Sequence, residues 1–183
     1  LCCCSLKATA QQMQQIRLIY SFTYFPDSTK MDLKKSDYMH LDIIIDSGSI
    51  FYSKDVYEKD KMVKENESSI MAMVNSGMVD GSKIMKFNST GVDETIIKFY
   101  NQKKLIHGVY VGLFRFYIES TPKINWQITN DTLSINGFLC QKATGVYGGR
   151  VYTAWFNKNI EVTDGPWKFS GLPGGIVKVY DSQ

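Results

Sequence analysis

The sequence predicts a mainly β protein, an antiparallel meander of about eight to ten strands with one short helix. Stretches in which apolar and polar residues alternate run through the chain and are separated by turns rich in Gly, Pro, Asn and Asp. Aromatic residues make up 13% of the sequence, and the 11 Tyr and 10 Phe are spread along it, as is typical of strands. Sequential hairpins of this composition favour a curved sheet or half-barrel.

In the first half, strands are predicted over Ile16–Phe25, Tyr38–Asp46 and Ser49–Tyr57, with a turn at Ser47-Gly48. The alternation within the second strand predicts two different faces. One face carries Met39, Leu41, Ile43 and Ile45, and the other carries His40, Asp42, Ile44 and Asp46.

The middle of the chain begins with Glu58–Ser82, which is charged at first and then rich in Met. The short helix is predicted near residues 68 to 76, with Gly77 as its C-terminal stop. A brief strand is predicted over Lys83–Asn88. Longer strands are predicted over Thr95–Tyr100 and Leu105–Ser120, the latter bent or bulged at Gly112.

In the last third, Trp126–Ile128 begins a strand and Asn130-Asp131 is predicted to be a turn. A hairpin of Ile135–Tyr147 and Arg150–Asn157 is predicted around Gly148-Gly149.

The stretch Asp164–Asp181 is predicted to be a final hairpin. Pro173 presets φ and Gly174 tolerates a positive φ, as a type II turn requires. The residues Ile176–Tyr180 are β-branched or aromatic at most positions, and they predict the closing strand.

Several blocks of this last third resemble the GLPGLI family, extracytoplasmic proteins typical of Bacteroidetes. They are Trp126-x-Ile128, Ile135-x-Gly137, Cys140–Ala143, Gly149-Arg150, Ala154–Phe156 and a signature formed by Gly165, Pro166, Trp167, Phe169, Gly171, Leu172, Pro173 and Gly174. The resemblance implies an extracytoplasmic protein of a family without an established activity. The signature contains turn formers and two aromatic packing anchors, so we interpret it as structural. Gly175 departs from the family, which usually has Leu there.

The N-terminal residues predict targeting out of the cytoplasm. Leu1–Leu6 is apolar, and Ala8-Thr9-Ala10 has the small-x-small pattern of a signal-peptidase site. We predict a residual signal peptide over residues 1–10 and a single β-rich domain over residues 11–183, in the periplasm or secreted. A lipid anchor and a missing C-terminal segment are left open.

Charge and hydropathy exclude two classes of function. The 21 basic and 18 acidic residues give a net charge of +3 with the signs interspersed, which argues against a nucleic-acid-binding protein. No run of 18 apolar residues occurs, so no transmembrane segment is predicted. The sequence indicates no cofactor and leaves the oligomeric state open.

Candidate catalytic residues are few. Asp46 lies in a hydrophobic-hydrophobic-Asp-Ser-Gly motif similar to that of aspartic peptidases, but that chemistry needs a pair and no second copy occurs. We therefore interpret Asp46 as a turn residue. His40 and Asp42 share a strand face and would suit a base and its orienting carboxylate. A hydrolase that uses His40, Asp42 or Asp46 is the alternative function.

Candidate metal or nucleophilic residues are weaker. With the signal removed, Cys140 is the remaining cysteine, and its apolar neighbours favour a core residue over a nucleophile. Met71 and Met73 are weak candidates for copper(I) ligands, although ordinary helix packing explains them as well.

The function predicted from these observations is a non-enzymatic binding or accessory module of the cell envelope. A curved sheet with an apolar face would bind an apolar ligand, such as a lipid or peptide, or an envelope protein. By analogy alone, the shape is loosely similar to periplasmic lipoprotein carriers of the LolA type.

Overall fold

The computed structural model describes residues 14–25, 34–66, 68–69, 72, 75–77, 91–111 and 114–181. The strands of these residues form two antiparallel sheets. Sheet A has six strands, each paired with the next: β1 (Gln15–Tyr24), β2 (Lys35–Ile44), β3 (Gly48–Ser53), β4 (Thr95–Phe99), β5 (Lys104–Val111) and β6 (Phe114–Ser120). Sheet B has the order β10-β9-β8-β7, from β7 (Gln127–Ile135), β8 (Phe138–Tyr147), β9 (Arg150–Asn157) and β10 (Gly175–Asp181).

The predicted fold class is confirmed: the protein is mainly β, antiparallel and a meander. The meander is divided between two sheets, and in the described part of the chain neither sheet closes into a barrel. No helix among the described residues is long and apolar enough to cross a membrane.

Helix α1 (Lys54–Glu65) follows β3 directly, so the predicted strand Ser49–Tyr57 is wrong from Lys54 onward. The hydroxyl of Ser53 accepts a hydrogen bond of 3.3 Å from the backbone N–H of Val56, as a helix N-cap does. An ion pair of 3.7 Å between Lys61 and Glu65 adds i,i+4 support. The cap and the charged face explain why the chain leaves the sheet here.

The short helix predicted near residues 68 to 76 agrees with the residues described there, since Ser68, Ser69, Ala72 and Asn75 are helical. The N–H of Ser76 donates to the carbonyl of Ala72 at 3.0 Å. Gly77 follows with φ of 73°, which suits a glycine that ends a helix. The predicted strand Lys83–Asn88 lies outside the described residues.

Two hairpins differ from the predictions. The single bent strand Leu105–Ser120 is wrong, because β5 and β6 pair with each other and Val111 lies opposite Phe114. Asn130-Asp131 lies inside β7, where the pairing with β8 shifts register. The chain turns instead at Asn136-Gly137, with φ of 49° and 83°. Asn-Gly favours the positive φ values of a type I′ turn, so this signal was present in the sequence.

The hairpin around Gly148-Gly149 is as predicted, with φ of 58° and 78° in the turn between β8 and β9. The prediction of the final hairpin is confirmed only in part. β9 and β10 pair, but residues 158–174 form a long connection between them. Gly174 has φ of 143°, and the N–H of Gly175 donates to Ile160 O rather than to the carbonyl three residues earlier. The predicted tight type II hairpin is therefore wrong, and the signature lies in this connection.

The connection packs between the two sheets. The two faces predicted for β2 by alternation are confirmed, and the face with Met39, Leu41 and Ile43 is the buried one. Its residues belong to a cluster of Met39, Leu41, Ile43, Phe51, Ile96, Leu105 and Val162. A second cluster contains Ala143, Ala154, Phe156, Phe169, Leu172 and Ile176. Trp167 packs against both clusters, so the signature joins the inner faces of sheet A and sheet B.

Candidate functional site

A buried ion pair anchors the connection between β9 and β10, which contains the signature, to sheet A. Lys98 of β4 and Asp164, the residue just before the signature, are 5% and 0% exposed, and the ammonium contacts Asp164 Oδ1. The ammonium also donates to the carbonyls of Gly165 (2.8 Å) and Phe169 (3.0 Å). Three acceptors thus match the three N–H donors of a charged lysine.

The carboxylate of Asp164 is saturated as well. Its Oδ2 accepts hydrogen bonds from the hydroxyls of Ser49 (2.5 Å) and Tyr100 (2.6 Å), and its Oδ1 accepts one from the N–H of Gly165 (2.7 Å). Burial lowers the pKa of Lys98, an effect that Asp164 opposes, and burial also raises the pKa of Tyr100. Because each of these groups is engaged, the network holds the connection in place.

A groove of about 350 Å³ lies between the β2–β3 turn and the connection, and we call it the loop groove. Its apolar wall is formed by Ile43, Ile45, Tyr100, Ile160, Val162 and Pro173. Its charged residues are Asp46, Lys158 and Glu161, all three exposed. The site therefore combines an apolar wall with charges at the solvent side.

The outer face of sheet A has an apolar centre. Ile50, Ile97 and Ile106 lie side by side on β3, β4 and β5, and Ile44 and Phe99 occupy the next row on the same face. All five are half-buried, and we call them the isoleucine face. Two ion pairs border the face, Arg17–Asp42 at 2.6 Å and Lys104–Glu119 at 2.6 Å.

The residues of the alternative hydrolase hypothesis lie in two places. His40 and Asp42 are neighbours on the outer face of β2, whereas Asp46 lies in the β2–β3 turn with φ of 62°. Asp42 accepts hydrogen bonds from Arg17 (2.6 and 2.8 Å) and from the hydroxyl of Tyr52 (2.9 Å). The hydrogen bond from Arg17 lowers the pKa of Asp42 most, and burial raises the pKa of Tyr52 to about 12. This geometry makes Asp42 an anchor between strands.

His107, the second histidine, lies on the inner face of β5 beside the signature. Its Nε2 lies 3.2 Å from Glu94 Oε2. This nitrogen is buried, and among the described residues it has no partner with hydrogen-bond geometry. Glu94 Oε2 instead accepts a hydrogen bond of 3.0 Å from the indole of Trp167. Burial and, to a smaller extent, the charge of Lys168 lower the pKa of His107, while Glu94 opposes them.

The pH dependence of stability should therefore report on His107. Because its pKa is lower in the folded protein, the unfolded chain binds the proton first, and stability is lost as the pH falls below about 6.5. We expect the free energy of unfolding, measured with urea at neutral and mildly acidic pH, to fall less in His107→Gln than in the wild type. His40→Gln is the control, and an unchanged pH dependence in His107→Gln would contradict the assignment.

The remaining candidates do not form a centre in the described residues. Cys140 is buried, as predicted for a core residue, and burial raises the pKa of its thiol. No group of three or more His, Cys, Asp or Glu side chains in the described part of the chain has metal-site geometry. Met71 and Met73 lie outside the described residues, so the copper hypothesis stays a prediction.

Comparison with known proteins adds information on the fold. No family model matches the chain, and no curated protein matches it. Two solved structures of PNGF-II are similar to it, both at 10% identity over 92% of this chain: the C2 crystal form has a TM-score of 0.55 and the P21 form 0.53. The match covers 25% and 26% of those chains, so this chain spans about a quarter of their length. At this identity the likeness concerns the fold alone.

The GLPGLI resemblance thus stays a prediction. The structure shows where the residues of the signature pack. Phe169 and Leu172 are buried, and the rings of Trp167 and Phe169 lie 5.4 Å apart, so the predicted packing anchors do pack. The sequence reasoning missed Lys98 and Asp164. One signal was available, because Lys98 alternates in register with Ile96 and therefore shares the core face of its strand.

Proposed function

We propose that this chain is a non-enzymatic binding module of the cell envelope that docks an apolar ligand on the isoleucine face. The ligand class is a lipid, a peptide or an apolar surface of an envelope protein. One observation carries the proposal: the face of sheet A turned away from the core is apolar at its centre.

The physical argument rests on what such a face normally contains. An antiparallel sheet with one face on the core usually presents polar residues on the other face, because that face is hydrated. Here Ile50, Ile97 and Ile106 occupy adjacent positions across three strands. A contiguous apolar patch with a charged border is typical of an interaction surface. The border is made of internally neutral ion pairs, which favours a ligand bound by apolar contact rather than by charge.

A binding role also agrees with the state of the polar groups. Asp42 is held by Arg17 and Tyr52, and the buried carboxylate of Asp164 accepts hydrogen bonds from four donors. Carboxylates fixed in this way stabilise the fold and are poor candidates for proton transfer. The extracytoplasmic location and the GLPGLI family belong to the same proposal, supported by the Ala8-Thr9-Ala10 pattern and by the signature blocks.

The test is a paired substitution at the centre of the face. Ile97 and Ile106 lie opposite each other on β4 and β5, and Ile97→Thr/Ile106→Thr keeps β-branched residues in the strands while adding two hydroxyls. We expect native mass spectrometry of protein purified from its own envelope to show a bound lipid or peptide. The variant should lose about 1 kcal/mol of binding per side chain, roughly tenfold or more for the pair.

The matched control is Val146→Thr/Val151→Thr, an opposed pair on the outer face of sheet B with 62% and 52% exposure. The control pair should retain the ligand at the wild-type level. Equal retention by both double variants, or a wild-type protein that carries no ligand, would contradict the proposal.

A further inference from the structure

We propose that the loop groove is a second binding site, one that takes a small amphipathic cation: an apolar or aromatic body carrying an ammonium or guanidinium group. This site is separate from the isoleucine face and goes beyond the function proposed for that face. Three observations carry the proposal, namely the shape of the groove, the rigidity of its walls and its unbalanced charge.

The shape suits a small molecule. The groove is open to solvent on one side and has a volume of about 350 Å³, within the range of small-molecule sites. Ile43 and Val162 belong to the core, with 1% and 9% exposure, and also line the groove, so its floor is continuous with the hydrophobic interior. Tyr100 adds an aromatic wall, while its hydroxyl is engaged by Asp164. An apolar or aromatic body therefore matches the interior of the groove.

The walls are held in place before any ligand binds. On the connection side, Ile160 O accepts from the N–H of Gly175 at 3.0 Å, and Thr163 O accepts from the N–H of Gly171 at 2.9 Å. On the turn side, Ser47 N–H donates to the carbonyl of Ile44 at 3.1 Å, and Ser47 O accepts from the N–H of Tyr100 at 3.1 Å. Such preorganisation reduces the entropy lost on binding.

The charges select the sign of the ligand. Asp46 and Glu161 are exposed carboxylates, and neither has an ion-pair partner in the part of the chain that the structure describes. Lys158 is the one cation among the described lining residues, so the groove carries a net charge of −1. A cationic group complements this net negative charge, whereas an anion of the same shape is disfavoured by it.

The test is to titrate the protein with three probes that have one shape and different charges. Binding is monitored through the amide chemical shifts of the protein in NMR spectra. The probes are phenethylamine, 2-phenylethanol and 3-phenylpropionate. We expect saturable shifts from phenethylamine at Asp46 and over residues 160–163. Each exposed charge contact contributes about 0.2–1 kcal/mol. Two contacts should therefore make the amine bind roughly two- to thirtyfold more tightly than the alcohol, and the carboxylate should bind most weakly.

A charge variant tests the cause directly. Asp46→Asn/Glu161→Gln should abolish the preference for the amine over the alcohol, and Asn tolerates the φ of 62° at position 46. Glu119→Gln on β6 is the control and should keep the preference. Three outcomes would each overturn the proposal. They are equal affinity of the wild type for the three probes, chemical-shift changes centred outside the loop groove, and a phenethylamine titration that does not saturate. The Ile97→Thr/Ile106→Thr variant should bind phenethylamine normally, which separates failure here from failure at the isoleucine face.

Discussion

Replacing Lys98 with Met is expected to reduce the free energy of unfolding by about 3–5 kcal/mol, because it leaves a buried carboxylate without its counter-charge. Asp164 is 0% exposed and cannot recover hydration in the folded state. The carbonyls of Gly165 and Phe169 lose a donor at the same time. Urea unfolding should show a lower midpoint with an unchanged m value, the sign of reduced stability without a change in compactness.

The matched control is Lys104→Met, which removes a lysine from the adjacent strand and breaks an ion pair of 2.6 Å with Glu119. That pair is largely hydrated, since the side chains are 28% and 62% exposed, so its loss should cost less than about 1 kcal/mol. A double variant, Lys98→Met/Asp164→Asn, removes both buried charges and should recover part of the stability. Equal losses in the two single variants would contradict the structural role assigned to the buried pair.

Replacing Gly174 with Ala is expected to destabilise the protein by more than about 3 kcal/mol, because backbone strain of about 1–3 kcal/mol adds to a steric clash. Gly174 has φ of 143°, which only glycine adopts readily. A Cβ there would lie 2.2 Å from the carbonyl oxygen of Asn157, at the end of β9. Since that atom belongs to the backbone, relief requires the connection to move, and thermal unfolding should show a marked loss of Tm.

Gly171→Ala serves as the comparison within the same signature. Gly171 also has a positive φ, 88°, but no described atom lies within 4 Å of the position that an alanine Cβ would occupy there. Its replacement should therefore cost only the conformational strain, about 1–2 kcal/mol. If Gly171→Ala proved as costly as Gly174→Ala, the close packing of the signature against β9 would not be the cause.

Local patterns predicted the strands well where alternation and turn chemistry agreed. The strand Arg150–Asn157 and the turn at Gly148-Gly149 are examples, because both depend on residues close in sequence. The same reasoning missed α1, whose start depends on the Ser53 cap at the end of an otherwise regular strand. It also placed a turn at Asn130-Asp131, although Asn136-Gly137 has the stronger hairpin preference.

The candidate sites were harder to predict, because they depend on residues distant in sequence. The loop groove combines the β2–β3 turn with residues 158–174, and no sequence pattern relates the two. For the isoleucine face, the alternation in β2 predicted only that Ile44 lies on the strand face opposite Met39, Leu41 and Ile43. The apolar rows on β3, β4 and β5 became visible as one surface only when the strand register was known.

The amino-acid sequence by itself determined the fold class, most strand positions and the two faces of β2, since these follow from periodicity and from turn residues. Only the tertiary structure decided where the signature lies and which residues it contacts. Its Pro and Gly residues predict a tight turn locally, but Asp164 meets Lys98 from 66 positions away, and burial of that pair holds the segment between the sheets. The physical reason is that desolvated charges must be paired, and the partner is chosen by the fold rather than by neighbours in the chain.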